Sequence, residues 1–134
     1  MHLIILALLL SADFTGTWVG RIPTGRQGAM QDIAFKLVQN GTTVTGKLYG
    51  DYQSSPIVEG KITGEEIVFV LIAPDQTSNQ INETRFRFTG AMKDGEIELT
   101  RIRESATNAG NAGTYQYRER EGAKPPVFRL KRLL

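Results

Sequence analysis

The sequence contains no cysteine and a single histidine, His2. The absence of cysteine excludes disulfide bonds, a thiolate metal site and a cysteine nucleophile. If the N-terminal residues are removed on export, the mature chain also lacks any imidazole, so it has no histidine general base and no zinc site of the usual His/Cys kind. We therefore expect neither a metal nor another cofactor.

A strong excess of one charge is also missing. The 134 residues carry a formal net charge of +2 and are 40% hydrophobic, which is the ordinary composition of one folded domain. Sixteen basic residues against fourteen acidic ones make a slight excess, not the clustered basic surface of a nucleic-acid-binding protein. We expect no nucleic-acid partner.

The longest apolar run, Leu3–Leu10, is too short to cross a membrane, which takes about 20 residues. The run suits a secretory signal peptide over residues 1–12, with cleavage after Ala12 and a single domain over residues 13–134. No Lys or Arg precedes it, which departs from the signal pattern, and the alternative is a buried first strand of the mature protein. The signal-peptide interpretation predicts a secreted or periplasmic protein.

Strand patterns dominate the rest of the chain. Ile33 and Phe35, and later Phe86 and Phe88, alternate with polar or small residues, as in strands that bury one face. No segment keeps a helical period beyond one or two turns. The sequence predicts an all-β fold with strands near these positions: 15–22, 30–39, 42–49, 55–63, 66–73, 82–93, 96–104 and 127–133.

Two-residue turn signals connect several of these strands. Asn40-Gly41 and Asp94-Gly95 are typical of type I′ hairpins, which need positive φ at both positions, and Gly64-Glu65 suits a type II′ turn. All three fall at one end of the predicted sheet, so we expect that rim to be sealed by hairpins. Longer loops, which carry binding sites in such folds, fall at the other end: 23–29, 50–54, 74–81 and 105–112.

The number of strands decides whether the sheet closes. Residues 115–120 also show a strand pattern, which would make nine strands. An antiparallel up-and-down sheet closes only with an even number, because otherwise its first and last strands run parallel. We therefore predict a single antiparallel up-and-down barrel of eight strands. Residues 105–125 would form an excursion over the open rim, with at most a short strand inside it.

Gly16-Thr17-Trp18 resembles the Gly-x-Trp signature of the calycins, a group of the lipocalins, the fatty-acid-binding proteins and the avidins. In that group the tryptophan plugs the closed end of the barrel, and an arginine of the last strand often packs across it. The resemblance implies that Trp18 plugs the floor here with Arg132 as its partner, and Arg129 as the second choice.

The departures narrow this resemblance. The sequence has one tryptophan, whereas avidins line their biotin site with several. Residues 23–29 leave no room for the two helices of a fatty-acid-binding protein. The chain looks closer to the small bacterial lipocalin-like domains that recur in secreted proteins.

Two arginines near the open rim are candidate ligand-binding residues. Arg101 and Arg103 continue the inward phase of Leu99, and two inward guanidiniums at a barrel mouth would hold a carboxylate or phosphate through bidentate hydrogen bonds. A bulge near Thr100 would instead turn both arginines outward, and the apolar side chain of Ile102 favours that alternative.

Three tyrosines fall in the rim segments: Tyr52, Tyr115 and Tyr117. Tyrosine is apolar on its ring and hydrogen-bonds at its tip, so these residues would add an aromatic border to the same mouth. The alternative is that they cover the core beneath a long loop.

Residues 67–72 are apolar on both faces of the predicted strand. One face belongs to the barrel core, whereas the other, formed by Val68, Val70 and Ile72, would meet water in a monomer. We interpret this second face as an interface for a second copy or another protein, with a modest exposed patch as the alternative.

No motif in the sequence indicates catalysis. It has no serine in a nucleophile elbow and no phosphate loop, so we expect a protein that is not an enzyme. The first hypothesis is that the barrel binds a small, partly apolar or anionic ligand at its open rim. The second is a non-catalytic interaction module, acting as a homodimer, an accessory domain or an inhibitor of an extracellular enzyme, with side chains filling the barrel.

Overall fold

Nine strands and no helix make up the part of the chain that the structure describes. This structure is a computed structural model, and it describes residues 12–23, 30–50, 54–77, 80–108, 113–116 and 125–133. The strands are β1 (Gly16–Pro23), β2 (Met30–Asn40), β3 (Thr43–Tyr49), β4 (Ser54–Thr63), β5 (Glu66–Thr77), β6 (Gln80–Lys93), β7 (Glu96–Asn108), β8 (Gly113–Gln116) and β9 (Val127–Leu133).

Eight of the strands close into a barrel. β1 to β7 pair in chain order, β7 pairs with β9, and β9 pairs back with β1. Every one of these pairs is antiparallel. The predicted eight-stranded up-and-down barrel is therefore confirmed. The ninth strand, β8, pairs with the far end of β7, so the excursion does contain a short strand.

The hairpin turns at the closed end follow the predictions except at one position. Asp94 and Gly95 both have positive φ, 54° and 78°, as a type I′ turn requires. The first turn is shifted by one residue, because Asn40 still pairs with Thr43 in the β2–β3 ladder. Gly41, with φ of 65°, therefore occupies the first turn position and not the second.

Two predicted loops are shorter than expected. β5 continues to Thr77 and β6 begins at Gln80, and β7 continues to Asn108. The prediction of loops over 74–81 and 105–112 is therefore wrong for most of these residues. The apolar alternation stops where the strands leave the core, but a backbone ladder needs no apolar side chains to continue.

Aromatic side chains fill the barrel interior. Phe35, Phe69 and Phe88 come from three strands, with ring centroids 5.0 Å apart for Phe69 and Phe88 and 5.2 Å apart for Phe35 and Phe69. Phe128 of β9 packs against Phe88 at 6.2 Å. Toward the loop end, Ile22 and other apolar residues are also buried. Small eight-stranded barrels are commonly filled by side chains in this way.

Trp18 lies at the closed end and is fully buried. Its Nε1 donates a hydrogen bond of 2.9 Å to the carbonyl oxygen of Phe14. The guanidinium carbon of Arg132 lies 4.3 Å from the centre of the Trp18 ring, and Arg132 also donates to the carbonyl oxygens of Asp13 and Thr15. The segment before β1 is thus held across the floor of the barrel.

Arg129 lies elsewhere. It occupies the outer face of β9, where its guanidinium nitrogens lie 3.3 Å from a carboxylate oxygen of Glu96 and 3.2 Å from one of Glu98. Arg129, the second candidate named as a partner of Trp18, therefore does not reach the barrel floor. It is separated from Arg132 by three positions, and residues separated by an odd number of positions face opposite sides of a sheet.

The predicted signal peptide lies outside the described residues except for Ala12, which packs against the core. Phe14, two residues further on, is fully buried. In the described part of the chain, no helix is long and apolar enough to cross a membrane.

Candidate functional site

The register of β7 decides where the two candidate arginines point. Arg101 pairs with Phe88 and Arg103 pairs with Phe86 across the β6–β7 ladder. Paired residues of neighbouring strands project to the same side of a sheet, and Phe88 is 2% exposed in the core. Both arginines therefore project from the inner side of the sheet, where Arg101 is partly buried and Arg103 remains exposed. The alternative of a bulge near Thr100 is wrong, because the ladder is regular through Arg103.

The bulge in β7 lies further along, at Glu104. The register shifts between Arg103 and Ser105, which leaves Glu104 as the extra residue. On the outer face, the Glu104 carboxylate accepts a hydrogen bond of 2.9 Å from Nε of Arg85 and another from Nε of Arg87. Desolvation raises the pKa of Glu104, but these hydrogen bonds outweigh it and hold the pKa below its ordinary value.

Both inward guanidiniums lie against one aromatic ring. The guanidinium carbon of Arg101 is 5.3 Å from the ring centre of Phe86, and that of Arg103 is 6.0 Å away. Phe86 is partly buried at the border of the core, so its ring provides an apolar surface beside two cations. Desolvation, followed by the charge of Arg103, lowers the pKa of Arg101 below its ordinary value. An anion near both groups would relieve this repulsion.

The arginines lie toward the loop end of the barrel. β7 pairs with β9 through Thr100 and with β8 from Ser105 onward. Arg101 and Arg103 lie between these two ladders, on the part of β7 that leads away from the tight turn before Glu96. At this level the partner of β7 changes from β9, which belongs to the barrel, to β8, which belongs to the excursion. The two arginines therefore lie at the rim of the barrel.

Of the predicted aromatic border, the structure describes only the backbone of Tyr115. Tyr115 belongs to β8, where its backbone pairs with Ala106 of β7. The predictions for Tyr52 and Tyr117 lie outside the described residues.

The outer face of β5 differs from the predicted interface in one residue. Val70 is fully buried within the single chain, so the expectation that it meets water in a monomer is wrong. It lies between Val58 of β4 and Arg87 of β6, whose side chains project from the same face. Ile72 remains 37% exposed and Val68 is half-buried. The exposed apolar surface therefore consists of two separate patches, one on each side of the buried Val70.

Phe86 is the site residue that sequence reasoning assigned to the core alone. A signal for its second role was present in the turn. If the strands are paired outward from Asp94-Gly95, Lys93 faces Glu96, and the same count places Phe86 opposite Arg103. The tight turn therefore determines which ring the arginine meets.

The rim combines two cationic side chains with one apolar ring, which are the groups that an anion with an apolar part would require. Among the residues that the structure describes, no group of three or more His, Cys, Asp or Glu side chains is placed to hold a metal ion. No protein-family model, curated protein or solved structure matches this chain. The geometry of the barrel itself is compatible with a calycin-like fold.

Proposed function

We propose that this chain is an exported, calycin-like β-barrel that binds a small anionic ligand at its open rim without transforming it. Arg101 and Arg103 hold the anionic group, and the ring of Phe86 contacts the apolar part of the ligand. The observation that carries the proposal is that two inward guanidiniums share one partly buried ring. Guanidinium groups suit this role because they bind carboxylate or phosphate oxygens in pairs.

The packed interior limits the size of the ligand. The phenylalanine cluster around Phe88 occupies the space in which a hollow lipocalin-like barrel would hold its ligand. A ligand bound by Arg101 and Arg103 therefore lies at the mouth, and its apolar part is short.

Isothermal titration calorimetry with octanoate and with inorganic phosphate tests the proposal. The chain should bind at least one of these probes, and the double variant Arg101→Gln/Arg103→Gln should bind it at least about tenfold more weakly, because each lost hydrogen bond involves a charged donor. The matched control, Lys61→Gln/Lys93→Gln, removes the same charge from the outer faces of β4 and β6 and should leave binding within about twofold of the parent.

Two results would overturn the rim site. One is the absence of heat with both probes at millimolar concentration. The other is equal weakening in the rim variant and in the Lys61/Lys93 control, because that result would reflect net charge and not the local geometry.

A non-catalytic interaction module is the second candidate, and the filled barrel favours it. On the outer face of the β5–β6 hairpin, Ile72 is 37% exposed and Ile81 is 64% exposed. If this hairpin forms a homodimer, light scattering on the parent will show a molar mass that rises from the monomer value to the dimer value as the protein concentration increases. The Ile72→Ser variant should keep the monomer mass at every concentration. A parent that stays monomeric throughout would remove the homodimer.

A further inference from the structure

Four outward side chains form a row across the wall of the barrel, from β9 through β1 and β2 to β3. In this row Val19 pairs with Lys131 on one side and with Ala34 on the other, and Ala34 pairs with Tyr49. Long side chains stand at both ends of the row and short ones lie in the middle. Three strand spacings separate the ends, about 14 Å. The result is a trough with a volume of about 570 Å³.

The floor and one wall of this trough are apolar. Val19 and Ala34 are half-buried, so they offer a flat apolar base to solvent. Tyr49 is 45% exposed, so part of its side chain is accessible to a ligand. An aromatic ligand lying on this base would contact the tyrosine ring in an offset or edge-on arrangement.

The opposite wall carries Lys131, whose ammonium group is able to pair with an anion bound in the trough. Nζ of Lys131 lies 4.0 Å from a carboxylate oxygen of Glu96, and the lysine side chain is 75% exposed. An ion pair that long and that exposed contributes little, so Lys131 can turn toward a ligand at small cost. At the border of the trough, Arg21 is held by Asp32 at 3.1 Å.

The neighbouring row makes this face positive. Lys36 and Lys47 lie directly opposite each other on β2 and β3, and like charges in that position repel. Among the described residues of this face, Arg21, Lys131 and these two lysines make four cations, which stand against Asp32 and, beside Lys131, Glu96. A bound anion would lower that repulsion. A second copy presenting the same face would increase it, which argues against a homodimer here.

We propose that this trough is a second binding site, on the outside of the barrel, for a small aromatic anion such as an aryl carboxylate. The aromatic body lies on Val19 and Ala34 against Tyr49, and the carboxylate pairs with Lys131. The site is separate from the rim, because Val19 and Ala34 project outward whereas Arg101 and Arg103 project inward.

A nuclear magnetic resonance titration with naphthoate, and with neutral naphthol for comparison, tests this site. Naphthoate should shift the backbone amide signals of Val19, Ala34 and Lys131, and it should bind more tightly than naphthol. Lys131→Gln should weaken naphthoate binding by about two- to fivefold, as expected for one exposed ion pair, and leave naphthol binding unchanged. Lys61→Gln is the control, since it removes an exposed lysine from β4.

A second pair of variants tests the shape of the trough. Ala34→Gln raises the floor and should weaken both probes, whereas Ala91→Gln, at an outward position of β6, should weaken neither. Because both alanines are partly exposed on the outer wall, the barrel should tolerate both changes. The amide spectrum of each variant verifies the fold directly.

Three outcomes would overturn the inference. Shifts confined to Phe86, Arg101 and Arg103 would place the aromatic anion at the rim, which contradicts the trough and supports the proposed function. Equal binding of naphthoate and naphthol would remove the role of Lys131. A preference for an acidic peptide that Ala34→Gln does not disturb would assign the charge of this face to a protein partner.

Discussion

At the scale of single residues, Arg132 links the last strand, β9, to the segment that precedes β1. Its guanidinium covers the ring of Trp18 at 4.3 Å and donates to backbone carbonyl oxygens 117 and 119 positions earlier in the sequence. One side chain thus combines a cation–π contact with charge-assisted hydrogen bonds, and it covers a fully buried ring while its own guanidinium stays exposed to solvent.

Replacing Arg132 by methionine should therefore lower the free energy of unfolding by about 1 kcal/mol, because the apolar stem is kept while an exposed cation–π contact and exposed hydrogen bonds are lost. Urea unfolding monitored through the fluorescence of Trp18, the sole tryptophan, measures the change. Arg21→Met is the control, since the Arg21–Asp32 pair is well exposed, and it should cost less than about 0.5 kcal/mol. Equal losses in the two variants would contradict the role of Arg132.

At the scale of elements, the bulge in β7 separates two tasks on one strand. Up to Arg103 the strand keeps its inward arginines in phase with the core, and at Glu104 the extra residue turns a carboxylate outward to Arg85 and Arg87. A second bulge, in β4, lies near Glu59, whose φ is 52° and whose carboxylate contacts Arg85. The carboxylates of Glu59 and Glu104, one at each bulge, therefore both contact Arg85.

The Glu104 network should make stability depend on pH. Its pKa is held below the ordinary value of 4.5, so the stabilisation is complete above that value and is lost as the pH falls through the lower, folded-state pKa. Glu104→Gln should cost about 1 kcal/mol at pH 7, a modest effect because the carboxylate is 22% exposed. Urea unfolding measures the free energy of unfolding of the parent and of Glu104→Gln. The difference between the two should be smaller at about pH 3 than at pH 7.

The comparison variant for this experiment is Glu65→Gln, at an exposed turn, which should change stability by less than about 0.5 kcal/mol at pH 7. A Glu104→Gln penalty that stays constant from pH 7 to about pH 3 would show that packing, and not charge, accounts for the loss.

At the scale of the whole molecule, closure of the barrel depends on β9. This strand pairs with β1 at one edge and with β7 at the other, and it also carries Phe128 and Arg132. The barrel would otherwise present two unpaired edges, and Trp18 would lose its cover.

A chain that ends at Pro126 should therefore fail to unfold cooperatively. Its Trp18 emission should lie at the longer wavelength of an indole in water, and near-ultraviolet circular dichroism should lose the aromatic signal. Leu133→Ser keeps every ladder while altering the end of the same strand, where Leu133 is 58% exposed, so it should unfold cooperatively. A truncated chain with native Trp18 emission would show that closure is not what buries the tryptophan.

Local patterns predicted much of this molecule. The alternation around Phe35 and Phe88 identified core strands, and Asp94-Gly95 placed a hairpin turn where both residues have positive φ. Alternation failed at Ile102, whose apolar side chain favoured an outward turn of Arg101 and Arg103. The position of a bulge depends on the partner strand, and no local pattern records it.

By itself, the sequence determined the all-β class, the eight-stranded closure and the sealed rim, because these follow from side-chain period, turn chemistry and the even number of strands. Only the tertiary structure decided that Val70 is covered although it faces outward, that the bulge of β7 lies at Glu104 beyond both rim arginines, and that a trough lies between Lys131 and Tyr49. These features depend on which residues of neighbouring strands stand side by side, and that register is set by pairing across the whole barrel.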